Sequence, residues 1–265
     1  MDPGDHACLI YDDVHRRDAA IKSFLEAGFA RGDRVVYVPE TGDETVVGAC
    51  EPNPKAGQLT VLDAEAAYTA DGAFAPDRAL DTLRAAVVEA RALGYAALSA
   101  AGGPPASVTS NGMSAGLPDY ERRVDEIVSE HEISAVCAYD SRVTEPRTLL
   151  GIVSAHPIVF FATRPDPRLR IDAGPHRLVL HGFLETATIG TAVPLLAEVL
   201  KGRADVTIDL SDLEFVDLSG VRLLVEAAGL LDDEGHSLVI EGTPSWLPSI
   251  LDMVGFGDRR GLVVR

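Results

Sequence analysis

Asp209-Leu210-Ser211-Asp212-Leu213-Glu214-Phe215-Val216-Asp217-Leu218-Ser219-Gly220 is the stretch on which the reading of this chain turns. Val206 to Leu210 alternates apolar and polar residues and is β-rich, which predicts a half-buried strand. Beyond the stretch, Val221, Leu223, Leu224, Val225 and Ala228 recur at helical spacing and predict an amphipathic helix. Asp217, Ser219 and Gly220 then fall on the turn from strand to helix. Such a turn exposes backbone N–H groups at the positive end of the helix dipole. Ser219 is placed to act either as the N-cap of the helix or as a phosphoacceptor, whose new charge a docked partner would feel.

Working outward, the upstream half alternates short apolar strands with helices. Strands are expected at 6–11, 34–38, 59–62, 95–99, 133–139 and 158–161, and helices at 16–30, 44–50, 77–93, 120–131 and 147–154. This is the pattern of a parallel-sheet α/β layer. Ala101 to Pro118, rich in Gly, Pro, Ser and Ala, is expected to be a long loop, a mobile lid or a disordered insertion. The polar, Pro-stiffened run between 163 and 173 marks a boundary, giving domains over 1–165 and 166–265.

Composition narrows the function. The 265 residues carry a net charge of −18, with both halves acidic, and the pI near 4.7 disfavours nucleic-acid phosphates and anionic membrane as partners. Three cysteines without C-x-x-C spacing point to free thiols in a reducing cytosol. The first residues lack a signal-peptide pattern, and the longest apolar run, near Thr148 to Thr163, is broken by His156-Pro157. A cytoplasmic protein without a membrane span is expected.

From about 170 onward the chain resembles a STAS domain, the fold of anti-sigma-factor antagonists. The resemblance rests on the strands around Leu178 to Leu184, the strand and loop Asp209 to Gly220, the strand Ser237 to Ile240 and the helix Leu247 to Met253. It implies a mixed-sheet α/β domain in which Ser219 is the phosphoacceptor and Asp217, Leu218, Ser219 and Gly220 meet the partner. That partner would be an anti-sigma factor or a serine kinase of the ATP-binding anti-sigma class. Asp217 would fix the loop and contact the partner, with Phe215 and Leu218 packed beneath. Such antagonists usually carry a hydroxyl residue where Leu218 stands here, which bears on recognition by the kinase.

Residues 5 to 162 resemble a MEDS domain, a sensory module of regulators of methyl-halide and methylotrophic metabolism. The residues that carry the likeness are His6-x-Cys8-x-x-Tyr11-Asp12, Gly32 to Val38, Cys137-x-Tyr139-Asp140 and His156-Pro157. The family looks like a degenerate relative of RecA-type ATPase folds, which implies a RecA-like parallel-sheet domain. No P-loop follows the first strand; Asp12 and Asp13 stand where phosphates would sit, so ATP hydrolysis is disfavoured.

Tyr11 and Asp12 end the first strand, and Tyr139, Asp140 and Arg142 end a later one. Both sets are therefore expected at the carboxyl edge of the sheet, as candidates for a small ligand. The plainer alternative makes Tyr11 and Tyr139 packing residues and Asp140 to Arg142 a local turn. His6 and Cys8 share a strand face, but two ligands do not make a metal site, and a packed thiol beside a hydrogen-bonded imidazole is expected. His156 is expected to be structural. No residue grouping supplies a catalytic set. The chain thus reads as a non-enzymatic, two-part regulator with no cofactor or metal of its own. The competing readings are a nucleotide- or metal-dependent enzyme in the first half and a STAS-based scaffold subunit, with homo-oligomerisation left open.

Overall fold

A computed structural model describes residues 1–40, 45–51, 53–109, 113–131, 133–163, 166, 168–202, 204–257 and 259–265. The chain divides into two compact units, Met1–Thr148 with Ala155–Thr163 and Leu149–Ser154 with Arg164–Arg265.

The first unit runs β1 (His6–Tyr11), α1 (Val14–Arg31), β2 (Arg34–Val38), α2 (Thr45–Gly48), β3 (Leu59–Val61), α3 (Ala64–Tyr68), the small hairpin β4 (Thr69–Ala70) and β5 (Ala73–Phe74), and α4 (Pro76–Ala92). It continues through β6 (Leu98–Gly102), α5 (Ala106–Thr109), a 3₁₀ turn at Met113–Gly116, α6 (Leu117–Glu130) and β7 (Ile133–Asp140); then comes α7 (Pro146–Ala155), whose Leu149–Ser154 count with the second unit, and β8 (Ile158–Ala162) returns to the first. Six strands form one parallel sheet in the order β3-β2-β6-β7-β1-β8. All six residues of β1 are buried, as befits a strand covered on both faces by crossover helices. On one face lie Ala7, Leu9 and Tyr11 against Ile21, Leu25 and Phe29, a stripe at helical spacing along α1. Asp13 starts that helix, accepting from His15 N at 2.9 Å and Arg16 N at 3.2 Å, and Gly32 ends it in the left-handed region at φ +84°.

The second unit holds β9 (Leu169–Ala173), β10 (Arg177–Leu184), α8 (Ile189–Leu200), β11 (Val206–Val216), α9 (Leu218–Asp233), β12 (Leu238–Glu241), α10 (Leu247–Met253) and β13 (Leu262–Val264). Its sheet order is β13-β12-β11-β10-β9, parallel except for the antiparallel β9–β10 pair. Both units are therefore α/β, the first with an all-parallel and the second with a mixed sheet. Among the described residues no helix is long and apolar enough to cross a membrane.

Several local expectations change. β11 does not stop at Leu210 but continues to Val216. Its register against β10 shifts twice, so after Leu210 the buried positions fall at Leu213 and Val216 and the period-2 signal disappears. Between Ala101 and Pro118 the described residues form the end of β6, α5, the 3₁₀ turn and the start of α6, with Val108 and Leu117 fully buried. The expected lid or insertion is thus organised backbone there, although residues 110–112 of that stretch lie outside the described ones. β9 starts within the boundary run expected to be unpatterned, while Arg164, Pro165 and Pro167 of that run and Glu44 of the expected 44–50 helix lie outside the described residues. The sequence reading had no counterpart for α3, the β4–β5 hairpin, α8 or β13.

Candidate functional site

Three groups of polar side chains, two in the first unit and one in the second, take in the candidate residues. At the carboxyl edge of the parallel sheet, Tyr11 donates from its hydroxyl to Glu40 Oε2, which also accepts from Arg17 Nη1 at 3.2 Å. The Arg17 guanidinium carbon sits 5.4 Å from the centroid of the Tyr11 ring. Burial pushes the Glu40 carboxyl above its usual range, against the pull of Tyr11 and Arg17. Burial, then Glu40, likewise raises the Tyr11 phenol. Asp12 follows, half-buried, at the end of β1. Asp140 accepts from its neighbour Arg142 at the backbone N (2.9 Å), Nε (2.8 Å) and Nη2 (2.5 Å), a turn closed on itself.

Tyr139 is not part of this edge group. In the β1–β7 register Tyr139 lies beside Ile10, and Tyr11 beside Asp140. Successive side chains of a strand alternate faces, so the two tyrosines point to opposite sides of the sheet. Tyr11 stands in the α1 core, whereas Tyr139 donates to Glu121 Oε1 on α6. Of the five ligand candidates, four gather at the edge and one turns to the other layer.

That other layer holds a fully buried polar cluster. Glu121, from α6, is 0% exposed, and its Oε2 lies 3.3 Å from both His6 Nε2 and His156 Nε2 without completing a hydrogen bond. Cys137 Sγ is 3.5 Å from His6 Nε2, and His6 Nδ1 is 3.2 Å from Asp125 Oδ1. The two imidazole rings lie 4.2 Å apart. Burial opposes charge on Glu121, but His156 and then His6 outweigh it and hold the carboxyl well below the usual range. Burial, then Glu121, raises the Cys137 thiol.

The sequence reading singled out His6, Cys137 and His156 as family marks, yet Glu121 escaped it. Glu121 sits at a helical position among charged neighbours, and nothing in its spacing says that it faces inward. The cluster that forms around His6 takes in Cys137, not the expected Cys8. Beside it, Cys137, Tyr68, Tyr120, Val124, Val38 and Gly102 help to line a largely apolar cavity of about 70 Å³. β2 leads outward to β3 while its neighbour β6 leads inward to β7, so the cavity adjoins a point where the strand order reverses.

In the second unit, Asp217 is the N-cap of α9. Its Oδ1 accepts from Gly220 N at 2.9 Å, and its Oδ2 from Thr186 N at 3.0 Å and Thr186 Oγ1 at 2.9 Å. The expectation of Ser219 as the cap is therefore corrected: Ser219 lies inside the first turn, because the carboxylate two residues earlier already takes the Gly220 N–H. Ser219 is half-buried, and its Oγ shares an exposed hydrogen bond of 2.9 Å with Thr186 Oγ1. Phe215 and Leu218, expected beneath the loop, are each 45% exposed and flank it. β11 turns Phe215 outward while Val216 takes the buried position, and Leu218 is the first residue of α9. Gly220 has no room for a side chain, since a Cβ would meet the Leu184 carbonyl, Val216 Cγ2 at 2.7 Å and Leu184 Cγ at 2.8 Å.

Residues 5–157 match the family model described as MEDS, the MEthanogen/methylotroph, DcmR Sensory domain, and residues 168–264 match that described as the Mlab, STAS domain. No curated protein matches the chain.

Proposed function

Because the chain belongs to the MEDS family and carries a STAS domain after it, we propose that it is a non-catalytic signalling protein in which a sensory unit accompanies a phosphorylation-gated docking unit. The domain types themselves are sensory and anti-sigma-antagonist-like. The finer reading has Ser219 accept phosphate from an ATP-dependent serine kinase of the anti-sigma class, which thereby loses its grip on the loop.

The observation that carries this reading is the setting of Ser219. Its hydroxyl bond to Thr186 is exposed, it lies in the first turn of α9 at the positive end of the helix dipole, and it is flanked by exposed Phe215 and Leu218. A phosphate there is stabilised by the helix terminus, while it breaks the Thr186 bond and sets two charges between the apolar side chains that a partner would cover. Asp217 keeps the turn in shape but also brings negative charge close by, so the phosphorylated loop is strongly anionic. That favours release.

The sensed ligand in this reading is small and largely apolar, held in the cavity beside Tyr68, Tyr120 and Cys137. A cavity of about 150 Å³ suffices for benzene, so about 70 Å³ suits a molecule of only a few non-hydrogen atoms. Capture of the kinase on the full chain, followed by ATP and phosphopeptide mapping, tests the gate. Phosphate is expected on Ser219, none on Ser219→Ala, and Ser219→Asp should bind the kinase more weakly. Phosphate on Ser211 or Thr243 instead would overturn it.

A further inference from the structure

Four side chains far apart in the chain meet on the α6 face of the parallel sheet: His6 from β1, Glu121 from α6, Cys137 from β7 and His156 from the link between α7 and β8. Each offers one ligand atom, all four atoms lie within 4.8 Å of one another, and all four residues are buried. We propose that this is a binding site for a borderline-soft divalent transition metal, zinc in the first place, held by two imidazoles, one thiolate and one carboxylate. The proposal does not depend on the Ser219 gate.

The shortest separations are those of a coordination shell. Zinc bonds of roughly 2.0–2.3 Å, arranged as a tetrahedron, put neighbouring ligand atoms about 3.3 Å apart for N and O and about 3.6 Å apart where sulfur is one of them. Three of the six edges match, 3.3 Å from Glu121 to each imidazole and 3.5 Å from His6 to Cys137, and with all six within 4.8 Å a bound metal would draw the wider ones in. An ordinary N–H···O bond would draw the atoms to about 2.9 Å. Here Glu121 Oε2 is enclosed, faces two ring nitrogens and accepts no hydrogen bond. A buried oxygen left so is costly unless a cation completes its shell.

The surroundings aim the donors. Asp125 Oδ1 at His6 Nδ1 turns Nε2 inward, the carboxylate–histidine arrangement that supports metal ligands. Tyr139 occupies Glu121 Oε1 and leaves Oε2 toward the imidazoles. A thiolate with two imidazoles disfavours magnesium and calcium, which take oxygen donors. Four protein donors make a closed site of the structural kind, so the metal would pin β1, β7, α6 and the His156 link together. Cys137 also lines the apolar cavity, which sets the metal beneath its floor.

The test uses the full chain, stripped with chelator, desalted and loaded with Zn²⁺ or Co²⁺. One zinc per chain is expected by elemental analysis, and cobalt should give the intense visible bands of a tetrahedral site together with a sulfur-to-cobalt charge-transfer band. Cys137→Ser should lose the charge-transfer band, and His156→Ala should weaken zinc binding by more than about 100-fold, beyond what loss of a supporting group does. Asp125→Asn should weaken it roughly 10-fold. Cys50→Ser, buried against the α1 layer, should change nothing. A wild-type chain that takes up no stoichiometric zinc, or a cobalt spectrum without the sulfur band, overturns the proposal, and neither result depends on a variant folding.

Discussion

Replacing Asp217 by Ala removes one carboxylate that accepts three hydrogen bonds, from Gly220 N, Thr186 N and Thr186 Oγ1. Loss of an N-cap costs about 1 kcal/mol. The Thr186 donors are exposed, and water can take both back, so they add about 0.5 kcal/mol each, the low end for a hydrogen bond. The expected loss is about 2 kcal/mol. Trp246, the single tryptophan, lies in the second unit, and its fluorescence during urea unfolding reports on that unit. With a urea slope of about 2 kcal/mol per molar, the midpoint should fall by about 1 M at unchanged slope.

A double-mutant cycle with Thr186→Val should recover about 0.5 kcal/mol of coupling and leave the cap contribution intact. The pH dependence follows from the sign of the shift. Burial works against the Asp217 charge, yet the donors from Gly220 and Thr186 hold its carboxyl below the usual range in the folded state. The stabilisation is therefore complete above the unfolded value near 3.9 and is lost as pH falls through the lower folded value. The gap between wild type and Asp217→Ala should narrow only below about pH 4. A loss under about 0.5 kcal/mol at pH 7, or a gap that already narrows above about pH 4, would refute the capping argument.

Gly220→Ala gains helix propensity of about 1 kcal/mol but drives a methyl into the Leu184 carbonyl and Val216, so a net loss of about 1–2 kcal/mol is expected in the same urea assay. Phe215→Ser and Leu218→Ser, at half-exposed positions, should leave stability within about 0.5 kcal/mol of wild type while weakening capture of the kinase, measured by surface-immobilised binding. Gly103→Ala would set a methyl against the Ala138 carbonyl and 2.7 Å from Glu40 Oε1. It should cost about 2 kcal/mol and lower the calorimetric transition of the first unit by roughly 4–8 °C.

Much of the architecture was legible because it is local. The strand at 34–38 and the helices near 16–30 and 77–93 carry their own periodicity and punctuation, and each appears within a few residues of its expected place. Elements that hide their pattern were missed for physical reasons. α8 is apolar nearly all round, with seven of its residues buried, so no stripe marks it. The continuation of β11 past Leu210 is masked by bulges that shift the buried face.

The sites divide along the same line. Asp217, Ser219 and Gly220 are neighbours in sequence, so their turn could be placed from the residues alone; the residues offered Ser219 as the cap, but the helix begins at Leu218 and Asp217 closes it. Face assignment at the sheet edge needed the β1–β7 register, since a one-residue offset separates Tyr11 from Tyr139. The meeting of His6 with Cys137 spans 131 positions and exists because β1 pairs with both β7 and β8, bringing the His156 link alongside. Sequence alone therefore determined the two α/β units, their order and the hydroxyl at a helix mouth, since each is written in short-range spacing. Only the tertiary structure decided which distant side chains share a buried shell, because long-range strand pairing, not spacing along the chain, sets that proximity.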